Sequence, residues 1–164
     1  MRMLTKTSIG VLALSVAASA ATFAGFTITP KGGQKVNIQT GVTVLEQGGT
    51  ATDAKSGLSV AGNYIEYKDG DYLKARATTL STSGGGKMTA DSADYNAKTG
   101  ELTASGHLNY NDSRIKDLTA DTATIQSKVG LVVAKGNVRS QNPSMSANTV
   151  VVDYKQNRAV MYGN

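Results

Sequence analysis

One pattern written three times constrains this chain more than any other feature of it. Met88-Thr-Ala-Asp-Ser-Ala-Asp-Tyr95 runs to a turn and comes back as Glu101-Leu-Thr-Ala-Ser-Gly-His-Leu108. Leu118-Thr-Ala-Asp-Thr-Ala-Thr-Ile125 comes back as Leu131-Val-Val-Ala-Lys-Gly-Asn-Val138. Met145-Ser-Ala-Asn-Thr-Val-Val-Val152 comes back as Arg158-Ala-Val-Met-Tyr-Gly-Asn164. The leading residues Met88, Leu118 and Met145 stand 30 and 27 apart, as do the closing glycines Gly106, Gly136 and Gly163. A fixed period of this length marks one supersecondary unit used repeatedly.

Each unit reads as a hairpin of two strands. Leu102, Ala104, Gly106, Leu108 and Tyr110 share one parity, and Thr103, Ser105, His107 and Asn109 the other. Residues two apart share a face of a strand. Every copy thus presents one apolar face: Met88 with Ala90, Leu118 with Ala120, and Met145 with Ala147 going out. Coming back it carries Leu102, Ala104 and Leu108, then Val132, Ala134 and Val138, then Ala159 and Met161. Turns of about five residues between the halves favour antiparallel pairing. The inward set is thin, with Ala its commonest member. Either two sheets pack very closely, or the interior is not filled by its own side chains and has room for an apolar guest.

Upstream the same grammar is weaker. Leu58 to Arg76 reads as a worn copy, with Lys68-Asp-Gly-Asp71 as its turn. Val36 to Val44 reads as one strand with a bend at Gly41, and residues 47–53 as a loop. Residues 21–35 read as a mobile lead-in, so the folded domain is expected over 36–164. Residues 1–20 read as a secretory signal peptide. Arg2 and Lys6 lead, Ile9, Val11, Leu12, Leu14 and Val16 form an apolar run, and Ala18-Ser19-Ala20 is a small-residue cleavage site. The competing reading of that segment is an uncleaved inner-membrane anchor.

Composition then excludes several functions. There are no cysteines, so disulfides, thiolate metal sites and cysteine nucleophiles drop out. Removing Arg2 and Lys6 with the leader leaves 15 basic against 12 acidic residues, a net +3. That falls short of a nucleic-acid footprint, and no basic run is interleaved with aromatics. Nothing reads as catalytic. His107 is the single histidine and lies opposite the apolar face. Asp91, Asp94 and Asp121 recur with the repeat, which favours solvated or turn-facing roles over acid–base chemistry. Asp69-Gly-Asp71 lacks the downstream glutamate of a calcium loop. No metal and no cofactor is expected.

The repeat, apolar-x-Ala-Asp/Asn outbound and Ala-x-Gly-Asn/His-apolar on return, resembles the OstA-like repeats of the LptA/LptC lipopolysaccharide-transport family. Leu118-Thr-Ala-Asp121 with Ala134-Lys-Gly-Asn-Val138 carries the likeness best, and it extends over about residues 58–164. The resemblance implies an all-β, antiparallel β-jellyroll folded over as an open trough. It implies a periplasmic protein and a passive, non-enzymatic conduit for lipopolysaccharide or another acylated lipid. The fourteen apolar residues named above would line that conduit. Lpt-type transport components, or further copies joined head to tail, would add through the strand edges. The rival reading is an exported β-solenoid or adhesin-like repeat protein without a ligand.

Overall fold

A computed structural model describes residues 14–16, 20–156 and 158–163. The rest of the expected leader, residues 1–13 and 17–19, lies outside the described residues, and so does the judgement between cleaved leader and anchor. Among the described residues no helix is long and apolar enough to cross a membrane.

Fifteen strands follow one another in the described chain. They are β1 (Leu14–Val16), β2 (Ala21–Phe23), β3 (Phe26–Pro30), β4 (Gln34–Asn37), β5 (Val42–Leu45) and β6 (Gly49–Asp53). Next come β7 (Leu58–Gly62), β8 (Tyr64–Lys68), β9 (Tyr72–Ser81), β10 (Lys87–Asn96) and β11 (Glu101–Asn111). The last are β12 (Leu118–Gln126), β13 (Leu131–Gln141), β14 (Ser144–Asp153) and β15 (Arg158–Tyr162). Every pairing is antiparallel; from β8 onward the strands pair in chain order, and upstream β1–β4, β3–β6, β5–β8 and β7–β9 skip strands. The solenoid alternative, whose coils stack in parallel, is thereby overturned: the hairpin turns force neighbouring strands to run in opposite directions.

The sheet is one meander folded in two. β9 shows how: β8 pairs with its first half, Tyr72–Arg76, while β7 pairs with its second half, Thr79–Ser81. One layer contains β1, β4, β5, β8, the first halves of β9, β11 and β13, the second halves of β10, β12 and β14, and β15. The other contains β2, β3, β6, β7 and the remaining halves. Hairpin turns from the two layers form two rims, and the creases of the strands form a fold line.

The crease is written in the repeat. Gly106 and His107 have φ of +79° and +43°, and Gly136 and Asn137 of +78° and +48°. Two successive left-handed residues insert a bulge, seen as register shifts between Ser105 and Leu108 and between Lys135 and Val138. Gly suits this conformation and Asn or His tolerates it. On the outgoing strands the inward parity changes at the same level: Ala90 and then Ala93, Ala147 and then Val150, are buried. A straight strand cannot show that change.

Two expectations for the N-terminal third are corrected. Residues 21–35 are not a mobile lead-in. They form β2, β3 and part of β4, and Phe23, Phe26 and Ile28 are at most 2% exposed. Aromatic mass expected in a mobile lead-in is here core. Val36 to Val44 is not one strand but the hairpin β4–β5. The Asn37 carboxamide accepts from Gln39 N and Thr40 N, and Gly41, at φ +71°, donates to Asn37 O over 2.8 Å. Residues 49–53 of the expected loop form β6. The worn copy over 58–76 is there, as β7, β8 and β9, creased where Asn63 N donates to Arg76 O.

Candidate functional site

The interior between the layers is the first place to look for a ligand. Ten of the fourteen expected lining residues are buried in it: Met88, Ala90, Leu102, Ala104, Leu108, Leu118, Val132, Ala134, Val138 and Ala147. Ala120 and Met145 are partly buried against the same core. Ala159 and Met161 are exposed, Met161 at 54%.

The thin lining does not leave the interior empty. Leu102, Ala104 and Val138 are 0% exposed, so no water-sized void touches them. The missing volume comes from side chains the repeat does not contain. Phe23 of β2 meets Tyr67 and Tyr95 at ring-centroid distances of 5.8 and 6.0 Å, and Phe26 meets Tyr95 at 4.9 Å. These contacts join strands that are not hydrogen-bonded to each other, so the aromatics bridge the layers. Of the two sequence alternatives, close packing holds over this part of the molecule.

Filling stops at the C-terminal end. There β15 pairs only with the second half of β14, and its five residues are all exposed. Val150 pairs with Met161 and Val152 with Ala159, so Met161 and Ala159 continue the inner face past the last filled rung. Val160 and Tyr162, on the alternate parity, are 36% and 57% exposed. The first half of β14, with Met145 and Ala147, is the free edge of the other layer. Among the described residues the trough therefore has a mouth with apolar lips and two strand edges without a partner.

A cavity of about 370 Å³ opens in the seam between the rims. From one layer come Ala24, Gly25, Asp53, Lys55 and Ser56, and from the other Tyr95, Ser127, Lys128 and Lys155. The lysines occupy one position of a recurring turn: Asp53-x-Lys55-x-Gly57, Asn96-x-Lys98-x-Gly100, Gln126-x-Lys128-x-Gly130 and Asp153-x-Lys155. The first residue accepts from the backbone beside or at the lysine: Asp53 from Lys55 N, Asn96 from Lys98 N, Asp153 from Lys155 N and Gln156 N. The left-handed glycine closes the turn, as Gly57, Gly100 and Gly130 donate to the first residue's carbonyl at 2.8–2.9 Å. Lys98 is taken by Asp71 at 3.9 Å. Lys155 donates to Lys128 O over 2.9 Å, and Lys55, Lys128 and Lys155 have no carboxylate within 4.0 Å among the described residues. The lysine recurs at the repeat period, a signal present in the sequence and missed there because it sits in the turns.

A second, broader groove of about 830 Å³ crosses the outside of the other layer. Asn109, Thr119, Arg139 and Ser146 are successive partners across four strands and face outward, with Asp117 beside them. Its lining mixes these polar groups with Met145 at the edge of β14. Outside the first layer, Tyr72 and Tyr64 donate to Glu66 at 2.7 and 3.1 Å. Tyr72's hydrogen bond, then burial of its ring, pushes its phenol up to about 12, and the same bond holds Glu66 below the usual carboxylate range. Both rings carry a cation, Lys74 over Tyr72 and Arg76 over Tyr64.

The residues screened for catalysis have structural posts. His107 and Asp91 are hydrogen-bonded to each other on the exposed side of the crease, and Asp121 holds the same post in the next repeat. No group of three or more metal-ligating side chains occurs among the described residues.

No family model matches the chain, and no curated protein matches it. Among the solved structures similar to it is a crystal structure of a periplasmic protein. That protein is LptH of Pseudomonas aeruginosa, described as the LptA-homologous periplasmic component of the conserved lipopolysaccharide transport device. Identity is 9%, with 85% of this chain and 82% of that one covered, at a TM-score of 0.48.

Proposed function

We propose that this chain is a periplasmic lipid-binding protein that passes the acyl part of lipopolysaccharide, or a similar lipid, between inner and outer membrane. The observation that carries the reading is the mouth at β14–β15, where the inner apolar face runs on, uncovered by any described residue, through Ala159 and Met161. An acyl chain gains roughly 0.8 kcal/mol per buried methylene, so a dozen carbons offset the cost of ordering one chain. No headgroup pocket is required for that, and the action is passive, without enzymatic chemistry. The chain enters at the open end and advances only as far as the layers part, because the interior beyond is filled.

The free edges of β15 and of the first half of β14 suit addition of a further strand, from another copy head to tail or from a Lpt-type partner. A heterologous contact of this kind does not close on itself and so builds a bridge. A ligand-free structural repeat is the second reading, favoured by the packed interior around Ala104 and Val138.

Photocrosslinking separates them. A photoreactive residue at Met161 or Ala147 is expected to capture lipid A-like material, and one at Thr103, on the outer face, none. Equal labelling of both faces, or none at Met161, overturns the lipid reading.

A further inference from the structure

The seam cavity is separate from the mouth and asks for its own ligand. Lys55 from one layer and Lys128 and Lys155 from the other line it, against one carboxylate. That carboxylate is already engaged, since Asp53 accepts from Lys55 N at 2.9 Å and from the Ser56 hydroxyl at 2.6 Å. The stems of two of the lysines run along the row of turns: that of Lys128 lies across Gly100, and that of Lys155 across Gly130, where Lys155 donates to Lys128 O.

We propose that this seam, between Lys55 on one rim and Lys128 and Lys155 on the other, binds the phosphate-bearing headgroup of an anionic amphiphile. The inference rests on the lipid reading above for the amphiphile's tail, but not for the anion. Lysine offers point charges and rotatable donors, which suit the several oxygens of a phosphate. One cavity of about 370 Å³ takes one headgroup, whereas a nucleic acid would need a row of such sites. The floor explains why the anion would belong to an amphiphile. Tyr95 lines the cavity and stacks edge-on against Phe26 beneath, so the seam leads directly from charge to interlayer core. Burial, and then Asp53, raises the Tyr95 phenol, which keeps its O–H at neutral pH. Lys155 also belongs to the turn that launches β15, so the seam adjoins the mouth.

Calorimetric titration of the full chain at low salt with decyl phosphate and decyl maltoside, which share a tail and differ in the head, tests this. Decyl phosphate is expected to bind more tightly. Lys55→Gln, Lys128→Gln and Lys155→Gln should each weaken it roughly two- to fivefold, the size of one exposed ion pair, and leave decyl maltoside unchanged. Inorganic pyrophosphate should compete with decyl phosphate alone. Equal affinity for the two amphiphiles, or lysine variants that bind decyl phosphate like the wild type, overturns the seam site and leaves the lipid reading standing. If neither amphiphile binds but pyrophosphate does, and the lysine variants lose it, the anion site stands for free phosphate and the lipid reading falls.

Discussion

His107 Nδ1 lies 2.7 Å from Asp91 Oδ2 across the crease, and one repeat later Asn137 Nδ2 donates to Asp121 Oδ2 over 3.0 Å. In the third copy Asn148 N donates to Gly163 O at 3.1 Å. In the first two copies the acidic side chain of the outgoing strand thus reaches the left-handed pair of its returning strand, and in the third the backbone of Asn148 reaches the left-handed Gly163. The repeat is therefore a device for creasing a sheet, and its most regular letters specify geometry rather than chemistry.

The glycines of the crease are the test of that. A Cβ at Gly106 would strike the Asp91 carboxylate, and one at Gly136 that of Asp121. With φ near +79°, Gly106→Ala is expected to cost roughly 1–3 kcal/mol by denaturant titration. His107→Asn, which copies Asn137, should be near neutral. His107→Val should cost more than His107→Asn, because a β-branched residue resists φ > 0.

Much of this was legible in the sequence, and the limits have physical causes. Residues 87–164 announced their hairpins because Gly, Ala and Asn recur in register, and ten of the fourteen residues expected on the inner face are buried, as their parity implied. Parity alone could not show that inward sides change at Asp91 or Asn148, because a bulge resets the alternation. Upstream the strands break at the crease instead of bending, as at Gly62–Asn63, so each half is too short to read. Phe23, Phe26 and Ile28 were lost because apolar residues after a leader look like more leader. The seam site was invisible for another reason: its three lysines are up to 100 residues apart and meet only when the layers close.

The N-terminal strands give a second prediction. A chain beginning at Ala21 keeps β2 whole and is expected to fold with a cooperative thermal transition. A chain beginning at Gly33 loses Phe23, Phe26 and Ile28 from the core. Losing one buried aromatic alone costs roughly 3–5 kcal/mol, so this chain should melt broadly or not fold. Similar melting of both would restore the lead-in reading.

Asp112 gives a pH dependence. Burial opposes its ionisation, but the N–H groups of Arg114 and Ile115, each 2.7 Å away, and the Arg114 guanidinium at 2.8 Å outweigh it and hold the carboxyl low. A carboxyl lower in the folded than in the unfolded chain stabilises fully above its unfolded value and loses that contribution as pH falls through the folded one. Asp112→Asn should therefore be less stable than wild type at pH 7. The two should converge as pH falls below the ordinary aspartate value of 3.8. A gap that persists at pH 2 would mean that the charge is not the cause.

Charge at the lining separates packing from binding. Ala104 and Ala134 are at most 2% exposed, with strands on both sides. Ala104→Asp or Ala134→Asp places an unpaired charge in a filled core, a loss on the order of 3–5 kcal/mol, and should abolish folding itself. Met161→Asp changes a residue 54% exposed at the mouth and should leave the melting temperature within about a degree or two of wild type. If acyl chains enter there, Met161→Asp protein should copurify with little or no lipid, as read by mass spectrometry of the extracted ligand. A folded Met161→Asp protein carrying as much lipid as the wild type would mean that the uncovered inner face of β15 is not where the tail is taken up.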